Sequence, residues 1–336
     1  MNTKRVGGLL ALALLGVAVA AEAGGVAQAT TPGENGKIAF RRYLDDDKST
    51  GAVFVANADG TGVRQITRAA RGVVDDQPDW SPDGSVLVFT RYRPDRPTAI
   101  FSVKADGTGL KRVSPPPGKG FADYSGASFA PGGRHIIVTR ASGGVKAYPG
   151  ADQVKHSDVV LMDLNGKHLR VLARAAAYQA DYEFPMLSPD GSHFLYEHAR
   201  SYFADKKTWR AIVVASADGK QSKRLTPWSL DAGDNPDWSP DGTRILFHSY
   251  SDEDDSTQAQ IFTIGADGSD RRQLTHFPDG TFVGAPSYSP DGTRIIFSTA
   301  APGARADVLV MNADGSNPRQ LVTNVAWDSA PDWGTG

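Results

Sequence analysis

The sequence predicts an all-β protein built from a repeated unit. Three observations predict it: a turn motif that recurs along the chain, a short apolar strand after each turn, and a second hairpin motif in every repeat. The chain has 336 residues, 40% of them hydrophobic and 22% charged, which is ordinary for a globular protein with a sizeable core. It has no cysteine, so disulfides and thiol chemistry are excluded.

The first motif is a turn of the form apolar or aromatic residue, Ser, Pro, Asp, Gly. These are the residues that a type I turn favours, with a small polar residue first, proline second and glycine fourth. The copies lie about 50 residues apart, a period typical of propeller blades. They are WSPDG (80–84), FAPGG (129–133), LSPDG (187–191), WSPDG (238–242) and YSPDG (288–292).

Each turn is followed by a strand rich in β-branched and aromatic residues, as buried strands are. These strands are VLVF (86–89), HIIV (135–138), HFLY (193–196), RILF (244–247) and RIIF (294–297), and a sixth copy, KIAF (37–40), has no turn before it. A second hairpin in every repeat places Asp-Gly or Asn-Gly between two strands, as in VFVANADGTGVRQIT (53–67), and such pairs are a strong hairpin signal. Each repeat is therefore predicted to contain four strands.

The C-terminal segment supplies the half-repeat that the N-terminus lacks. APDWGTG (330–336) matches the residues ahead of other turns, such as QPDW (77–80) and NPDW (235–238), and then stops. We expect it to form the first strand of the unit whose other strands begin at Lys37, which leaves no open sheet edge. The predicted fold is a six-bladed β-propeller with four antiparallel strands per blade, closed by pairing of the C-terminal segment with the N-terminal blade.

The pattern of the first 29 residues is typical of a cleaved signal peptide. Lys4 and Arg5 precede an apolar run (7–20), and small-x-small sites follow at 21–23 and 27–29. We expect cleavage between Ala23 and Ala29, which leaves 30–336 as one secreted or periplasmic domain without a membrane span. A retained N-terminal anchor is the alternative.

The charge of the chain bears on its partners. The formal charge is −2 and there is no run of basic residues, which argues against nucleic acid and against a membrane surface. We expect a monomer.

The repeats resemble those of the TolB-type six-bladed β-propellers, which are built from PD40 (WD40-like) repeats. The resemblance lies in the Ser-Pro-Asp-Gly turn, the aliphatic-Phe strand and the Ala-Asp-Gly hairpin that ends in Leu-Thr, and it covers nearly all of the chain after the leader. It implies a propeller fold. The partner that we expect is an envelope or extracellular protein, or an acidic glycan. The N-terminal α/β domain of TolB is not expected, because the first predicted strand starts within about ten residues of the cleavage site.

Chain direction predicts two unlike faces. Both kinds of turn lie at one face, and the other face receives the variable loops, in which we expect the ligand to bind over the central channel. These loops include 41–51, 139–157, 197–210 and 248–258.

Two sets of residues at the loop-rich face are candidate ligand-binding residues. One set follows the second strand of four successive repeats and comprises Arg42, Arg91, Arg140 and His198. The other lies ahead of the turn motif and comprises Asp76, Glu183, Asp234 and Asp328. Arginines can hold a carboxylate of an acidic glycan or a peptide through two hydrogen bonds. Alternatively, the arginines and acids pair between blades and fasten the ring.

The histidines allow a different function. His198 and His248 lie near the same rim and His276 in the next inter-blade loop, so a divalent-cation site is conceivable. Some propeller-fold oligogalacturonate lyases resemble this arrangement. No compact metal-binding spacing supports it, and neither a Gly-x-Ser-x-Gly elbow nor a cysteine nucleophile is present. We therefore expect a non-catalytic module without a cofactor that binds a protein or a glycan, with a carbohydrate-active enzyme as the alternative.

Aromatic residues in the predicted inter-blade loops could contact either kind of ligand or fill gaps between blades. They are Phe121, Tyr124, Tyr178, Tyr182, Trp228, Phe277, Phe282 and Trp327.

Overall fold

The computed structural model describes residues 30–116, 122–142, 156–175, 180–202, 207–250, 259–322 and 326–336. Within these ranges the chain forms 24 β-strands and a single turn of 3-10 helix at Trp228–Leu230. No helix in this part of the chain is long and apolar enough to cross a membrane. The predicted signal peptide and parts of the variable loops (143–155, 203–206 and 251–258) lie outside the described residues.

The strands form six groups of four, and each group contains a first, second, third and fourth strand. The first strands, which carry the residues ahead of the turn motif, are β4 (Val74–Trp80), β8 (Ala122–Phe129), β12 (Ala180–Leu187), β16 (Ala232–Trp238), β20 (Phe282–Tyr288) and β24 (Asp328–Thr335). The second strands are β1 (Asn35–Tyr43), β5 (Val86–Arg93), β9 (His135–Ser142), β13 (His193–Tyr202), β17 (Arg244–Ser249) and β21 (Arg294–Ala300).

The third and fourth strands complete each group as a hairpin. The third strands are β2 (Gly51–Ala56), β6 (Arg96–Lys104), β10 (His156–Asp163), β14 (Lys207–Ser216), β18 (Gln260–Gly265) and β22 (Asp307–Asn312). The fourth strands are β3 (Arg64–Gln65), β7 (Lys111–Arg112), β11 (Arg170–Arg174), β15 (Ser222–Arg224), β19 (Arg272–Gln273) and β23 (Arg319–Val322). The hairpins predicted from Asp-Gly and Asn-Gly are confirmed by the pairing of each third strand with its fourth.

Four of the groups are separate four-stranded antiparallel sheets. The remaining two, β24-β1-β2-β3 and β4-β5-β6-β7, merge into one eight-stranded sheet. Among the described strands, one parallel pairing, of Gly51 with Val74 at one corner, merges the two groups into a single sheet. Each half otherwise has the same strand order as the separate sheets.

The second strands are continuously apolar because both of their faces are buried. Leu87 and Phe89 pack against residues of β1 and β2, whereas Val88, between them, packs against β8 and β9, and all three are 0% exposed. Successive residues of a strand point to opposite faces, so each sheet lies between two neighbours. This packing explains why VLVF and its equivalents do not alternate between apolar and polar residues.

Six apolar clusters fill the spaces between successive groups. Five of them join groups that follow one another along the chain. The sixth joins the last group to the first, and in it Phe40 and Phe54 pack with Ile296, Val308 and Val310.

The C-terminal segment pairs with the first strand, as the sequence predicts. β24 is antiparallel to β1, with Asn35 opposite Thr335, Ile38 opposite Trp333 and Arg42 opposite Asp328. Trp333 is 2% exposed, and its indole Nε1 donates a hydrogen bond to the Gly36 carbonyl oxygen. The strands near the two ends of the described chain thus pair with each other.

The role of β24 can be tested with two equivalent tryptophans. Trp333 in β24 and Trp238 in β16 are both 2% exposed and both donate through Nε1 to a backbone carbonyl oxygen. Truncation of a buried tryptophan typically costs about 3–5 kcal/mol, so Trp333→Ala and Trp238→Ala should lower the free energy of unfolding by similar amounts in urea titrations. If Trp238→Ala lowers the free energy of unfolding and Trp333→Ala does not, β24 contributes little to the stability of the fold.

Candidate functional site

All six first strands bend at one equivalent position, three residues before the residue that opens the turn motif. These bulge residues have φ between 48° and 56° and are Gln77, Gly126, Phe184, Asn235, Ala285 and Ala330. The ladder to the second strand shifts register at the same place in every group. A bulge of this kind bends a strand and redirects its side chains.

The bulges of all six first strands line one common cavity, which we call the channel. The channel is bounded by the bulge residue and the two residues after it in all six first strands, and its empty volume is about 530 Å³, open solvent included. The residue after the bulge is proline in five of the six strands, for example Pro78 and Pro236. Proline has no N–H to donate, so it suits a position where the ladder is interrupted. The residue before each bulge lies at one end of the channel, which we call the loop-side mouth. The residue two places after each bulge lies at the other end, which we call the turn-side mouth.

The loop-side mouth carries three of the four predicted acids. Asp76, Glu183 and Asp234 each precede a bulge residue on a different first strand. Asp76 forms an ion pair with Arg41, which also donates to the Ser329 hydroxyl. Arg41 belongs to β1 and Asp76 to β4, so this pair joins two strand groups.

Glu183 at the loop-side mouth has a raised pKa. Burial raises its pKa to about 7, with the charges of Asp181 and Asp234 acting in the same direction and Arg210 opposing them. Burial raises the pKa of Tyr92 as well, and the nearby charges of Asp76 and Glu183 add to the rise. Carboxylates from separate repeats therefore share one electrostatic environment.

A network around Asp234 extends the loop-side mouth. The Tyr250 hydroxyl donates to Asp234 Oδ2 at 3.3 Å, and the Asp234 backbone N–H donates to Glu197. Burial and the neighbouring Glu183 charge raise the pKa of Glu197 well above its usual value. Arg210 Nε is 3.5 Å from Glu197 Oε1, and Arg210 Nη1 is 3.2 Å from Asp231 Oδ2.

Sequence reasoning missed most of these partners. Glu197, Arg210 and Tyr250 lie in the variable loops or beside them, without a repeat that would mark them. Tyr92 follows the predicted candidate Arg91 and was identifiable only from the register of β5.

The three predicted arginines each face an aspartate directly across the ladder within their own sheet. The facing residues are Asp328 for Arg42, Asp75 for Arg91 and Asp158 for Arg140. All three aspartate side chains are 0% exposed.

Arg42 and Arg91 hold their aspartates through two hydrogen bonds. The distances are 2.7 and 2.7 Å for Arg42 and 2.5 and 2.7 Å for Arg91. Each guanidinium also lies over a phenylalanine ring of the third strand, Phe54 or Phe101, at 4.7 and 4.6 Å. The predicted acid Asp328 is therefore a structural partner of Arg42, and ligand binding by the arginines stays a prediction.

The predicted histidines have separate surroundings. His198 contacts the rings of Tyr182 and Trp228 edge-on at 4.9 and 5.1 Å, and burial, together with Arg200 and Arg224, lowers its pKa to about 4. His248 is 0% exposed, and its Nε2 lies 4.0 Å from Asp234 Oδ2.

The third histidine lies elsewhere on the surface. His276 is exposed, and its Nδ1 accepts a hydrogen bond from the Gln273 side-chain amide at 3.1 Å. Within the described ranges, no three His, Asp or Glu side chains are arranged to hold a metal ion.

The loop aromatics divide by burial. Tyr124 is 4% exposed and belongs to an apolar cluster, so it fills a gap between sheets. Phe121 and Tyr178 lie outside the described residues. The others are partly exposed: Tyr182, Trp228, Phe277, Phe282 and Trp327.

The turn-side mouth carries a second set of acids, which sequence reasoning did not single out. Asp79, Asp237 and Asp332 are the aspartates of the Pro-Asp-Trp segments. Each accepts a hydrogen bond from a backbone N–H in a neighbouring first strand, namely Phe129 at 2.6 Å, Tyr288 at 2.7 Å and Trp80 at 2.9 Å respectively. The repetition of Pro-Asp-Trp was the signal that could have identified them.

The fold is that of solved TolB structures. TolB from Acinetobacter baumannii matches 91% of this chain and 68% of its own with a TM-score of 0.67 at 18% identity. A protein assigned as TolB from Agrobacterium tumefaciens matches 89% of this chain and 92% of its own with a TM-score of 0.60 at 19% identity. A manganese complex of oligogalacturonate lyase matches 86% of this chain and 74% of its own, with a TM-score of 0.51 at 15% identity. The predicted resemblance to TolB-type β-propellers is confirmed at the level of the fold.

Sequence matches to curated proteins are partial. The chain is 31% identical over 94 residues to dipeptidyl-peptidase 5 of Porphyromonas endodontalis, and 30% identical over 131 residues to the Tol-Pal system protein TolB of Anaeromyxobacter dehalogenans. These matches span only 13% and 27% of the two relatives. No protein-family profile matches the chain.

The pairing of Arg42 with Asp328 predicts a stability effect. Arg42→Ala removes the guanidinium that holds the buried Asp328 carboxylate through two hydrogen bonds. Breaking a buried ion pair in this way typically costs about 3–5 kcal/mol, and adding Asp328→Asn should restore part of the loss. Arg305→Ala is the matched control, because Arg305 pairs with Asp46 at the surface, where such pairs contribute about 0–1 kcal/mol. Urea unfolding measures the stability of Arg42→Ala, of Arg42→Ala with Asp328→Asn, and of Arg305→Ala. Equal stability of Arg42→Ala and Arg305→Ala would contradict a structural role for Arg42.

The raised pKa of Glu183 predicts a pH dependence. An unfolded glutamate has a pKa of about 4.3, so between that value and about pH 7 the folded protein binds more protons at this site, and stability falls as pH rises. Glu183→Gln should remove this contribution, on the order of 2 kcal/mol. The measurement is the change in the free energy of unfolding between pH 4.5 and pH 7.5, which should be smaller in the variant. An identical pH dependence in both proteins would show that Glu183 is solvated.

Proposed function

We propose that the protein is an exported, monomeric, non-catalytic binding module that takes a protein partner of the cell envelope at its loop-side mouth. In this proposal the six strand groups are the blades of a closed propeller, and residues 1–29 are the signal peptide that directs export. The six apolar clusters between groups and the pairing of β24 with β1 support the closed ring. The similarity to TolB supports a binding role.

The observation that carries the proposal is the excess of hydrogen-bond acceptors at the loop-side mouth. The charge of Asp234 helps to raise the pKa of Glu183 and of Glu197, and Arg210 opposes both rises. Asp76 is already paired with Arg41. A ligand that brings donors, such as a lysine or arginine side chain or free backbone N–H groups, would satisfy these acceptors.

An acidic glycan fits the site less well. It would require free guanidinium groups, and Arg42, Arg91 and Arg140 each face a buried aspartate. A protein partner is therefore the better match for the chemistry of this mouth.

The alternative is a lyase that acts on an acidic glycan with a divalent cation near His198 and His248. The similarity of fold to a manganese-bound oligogalacturonate lyase favours it. Thermal shift distinguishes the two, because a ligand of the native state raises the melting temperature. Stabilisation by Mn²⁺ that chelator removes and uronate oligomers increase would favour the lyase over the binding module.

Site-specific photo-crosslinking tests where a partner binds. Leu44 on the loop-rich face and Leu110 in a hairpin turn on the opposite face are 46% and 45% exposed, so a photoreactive residue at either position is equally accessible. In cells that export the protein, we expect a discrete crosslinked partner from position 44 and none from position 110. Crosslinking from position 110 alone would move the binding surface to the other face.

A charge-removing variant tests the chemistry of the mouth. Asp234→Asn should weaken binding of the purified partner by about tenfold, as expected for loss of one charge-assisted hydrogen bond. Asp267→Asn, in an exposed hairpin turn, is the matched control and should bind normally. Equal affinities of the two variants would exclude Asp234 from the interface.

A further inference from the structure

The turn-side mouth opens into a small chamber lined by acids. The titratable groups among its lining residues are Asp79, Asp237 and Asp332, and Thr30 and Thr31 complete the wall. Its empty volume is about 370 Å³, open solvent included. Asp237 is 3% exposed.

These three carboxylates have no cationic partner within the described ranges. None of them forms an ion pair with a lysine, arginine or histidine there. Burial raises the pKa of Asp237 to about 7 and that of Asp332 to about 6, and burial together with the charges of Asp332 and Asp237 raises the pKa of Asp79. Collecting negative charge in a buried site is unfavourable unless a cation is supplied.

Thr30 brings the N-terminal end of the domain into this chamber. Its hydroxyl lies 2.8 and 2.9 Å from the two carboxylate oxygens of Asp237. The segment after it crosses the same face, where the Gly33 N–H donates to the Pro290 carbonyl oxygen and the Asn35 amide donates to Asp291. The backbone nitrogen of Thr30 therefore lies only a side chain's length from the Asp237 carboxylate, in the wall of the chamber that Asp79 and Asp332 also line.

Thr30 is also the residue that follows one of the two small-x-small sites. Ala27-Gln28-Ala29 precedes it directly, whereas the other site ends six residues earlier, at Ala23. An uncut chain presents a neutral amide with one N–H at Thr30. A chain cut after Ala29 presents an ammonium group with three donors.

We propose that export cleavage occurs after Ala29 and that the new α-ammonium group of Thr30 is the counter-ion of the Asp79, Asp237 and Asp332 chamber. A signal-peptidase-type endopeptidase adds water across the Ala29–Thr30 amide. The leader leaves with the Ala29 carboxylate, and the Thr30 nitrogen takes up a proton. Processing then completes an ion cluster in the channel, and the mature domain is more stable than its precursor. Cleavage after Ala23 would leave the chamber without this charge.

Three forms of the purified domain test the proposal: a chain that begins at Thr30 with a free amine, the same chain N-acetylated, and a chain that begins at Gly24. The pKa of the Thr30 amine, followed by NMR, should be at least one unit above the ordinary value of about 7.7–8.0. The acetylated and extended chains should melt roughly 2–4 °C lower at pH 7. An ordinary amine pKa with equal melting temperatures would overturn the proposal.

A double-mutant cycle separates the chamber from general effects of the N-terminus. Asp237→Asn should abolish most of the melting difference between free and acetylated chains, whereas Asp267→Asn, in an exposed turn, should preserve it. If Asp237→Asn does not fold, the amine pKa of the unaltered chain decides alone. N-terminal sequencing of the exported protein should read Thr30 first, and a start at Gly24 would refute the assigned cleavage site.

Discussion

The fold depends on how the six first strands are held around the channel. Within the described residues, five of the six first strands pair only with their own second strand, and the sixth, β4, adds only the parallel pairing of Val74 with Gly51. The inner edges of these strands must therefore find other partners. At the turn-side mouth, Asp79, Asp237 and Asp332 accept backbone N–H groups from neighbouring first strands. An unmade buried hydrogen bond costs about 1–3 kcal/mol, so these three bonds stabilise the contacts between the strand groups that they join.

The same constraint explains why acids occur at both mouths. The bulge in each first strand separates the residue before it, at the loop-side mouth, from the residue two places after it, at the turn-side mouth. At the turn side the aspartates bind the protein's own backbone, so they serve structure. At the loop side Asp234 instead accepts hydrogen bonds from side chains, the Tyr250 hydroxyl and the Asn235 amide.

Much of the fold could be predicted from local sequence. Turns, strands and hairpins depend on neighbouring residues, and the terminal Ala-Pro-Asp-Trp segment matched the other first strands so well that its pairing with β1 followed. The site was harder to predict, because the bulges change the facing residues. Counting along strands placed Arg42, Arg91 and Arg140 correctly on equivalent positions. The aspartates opposite them could not be predicted in this way, because they depend on the register of the paired strands. The role of Asp79 depends on Phe129, which lies in the next strand group.

The pairing of β24 with β1 also has a kinetic side. Asn35 and Thr335 are partners although nearly the whole domain lies between them in sequence. Loop-closure entropy opposes such contacts, and they form late and slowly compared with the hairpins inside each group. During synthesis, β1 has no antiparallel partner on one edge until the last residues of the chain appear, so each molecule passes through a stage in which that strand is open to pairing with another chain.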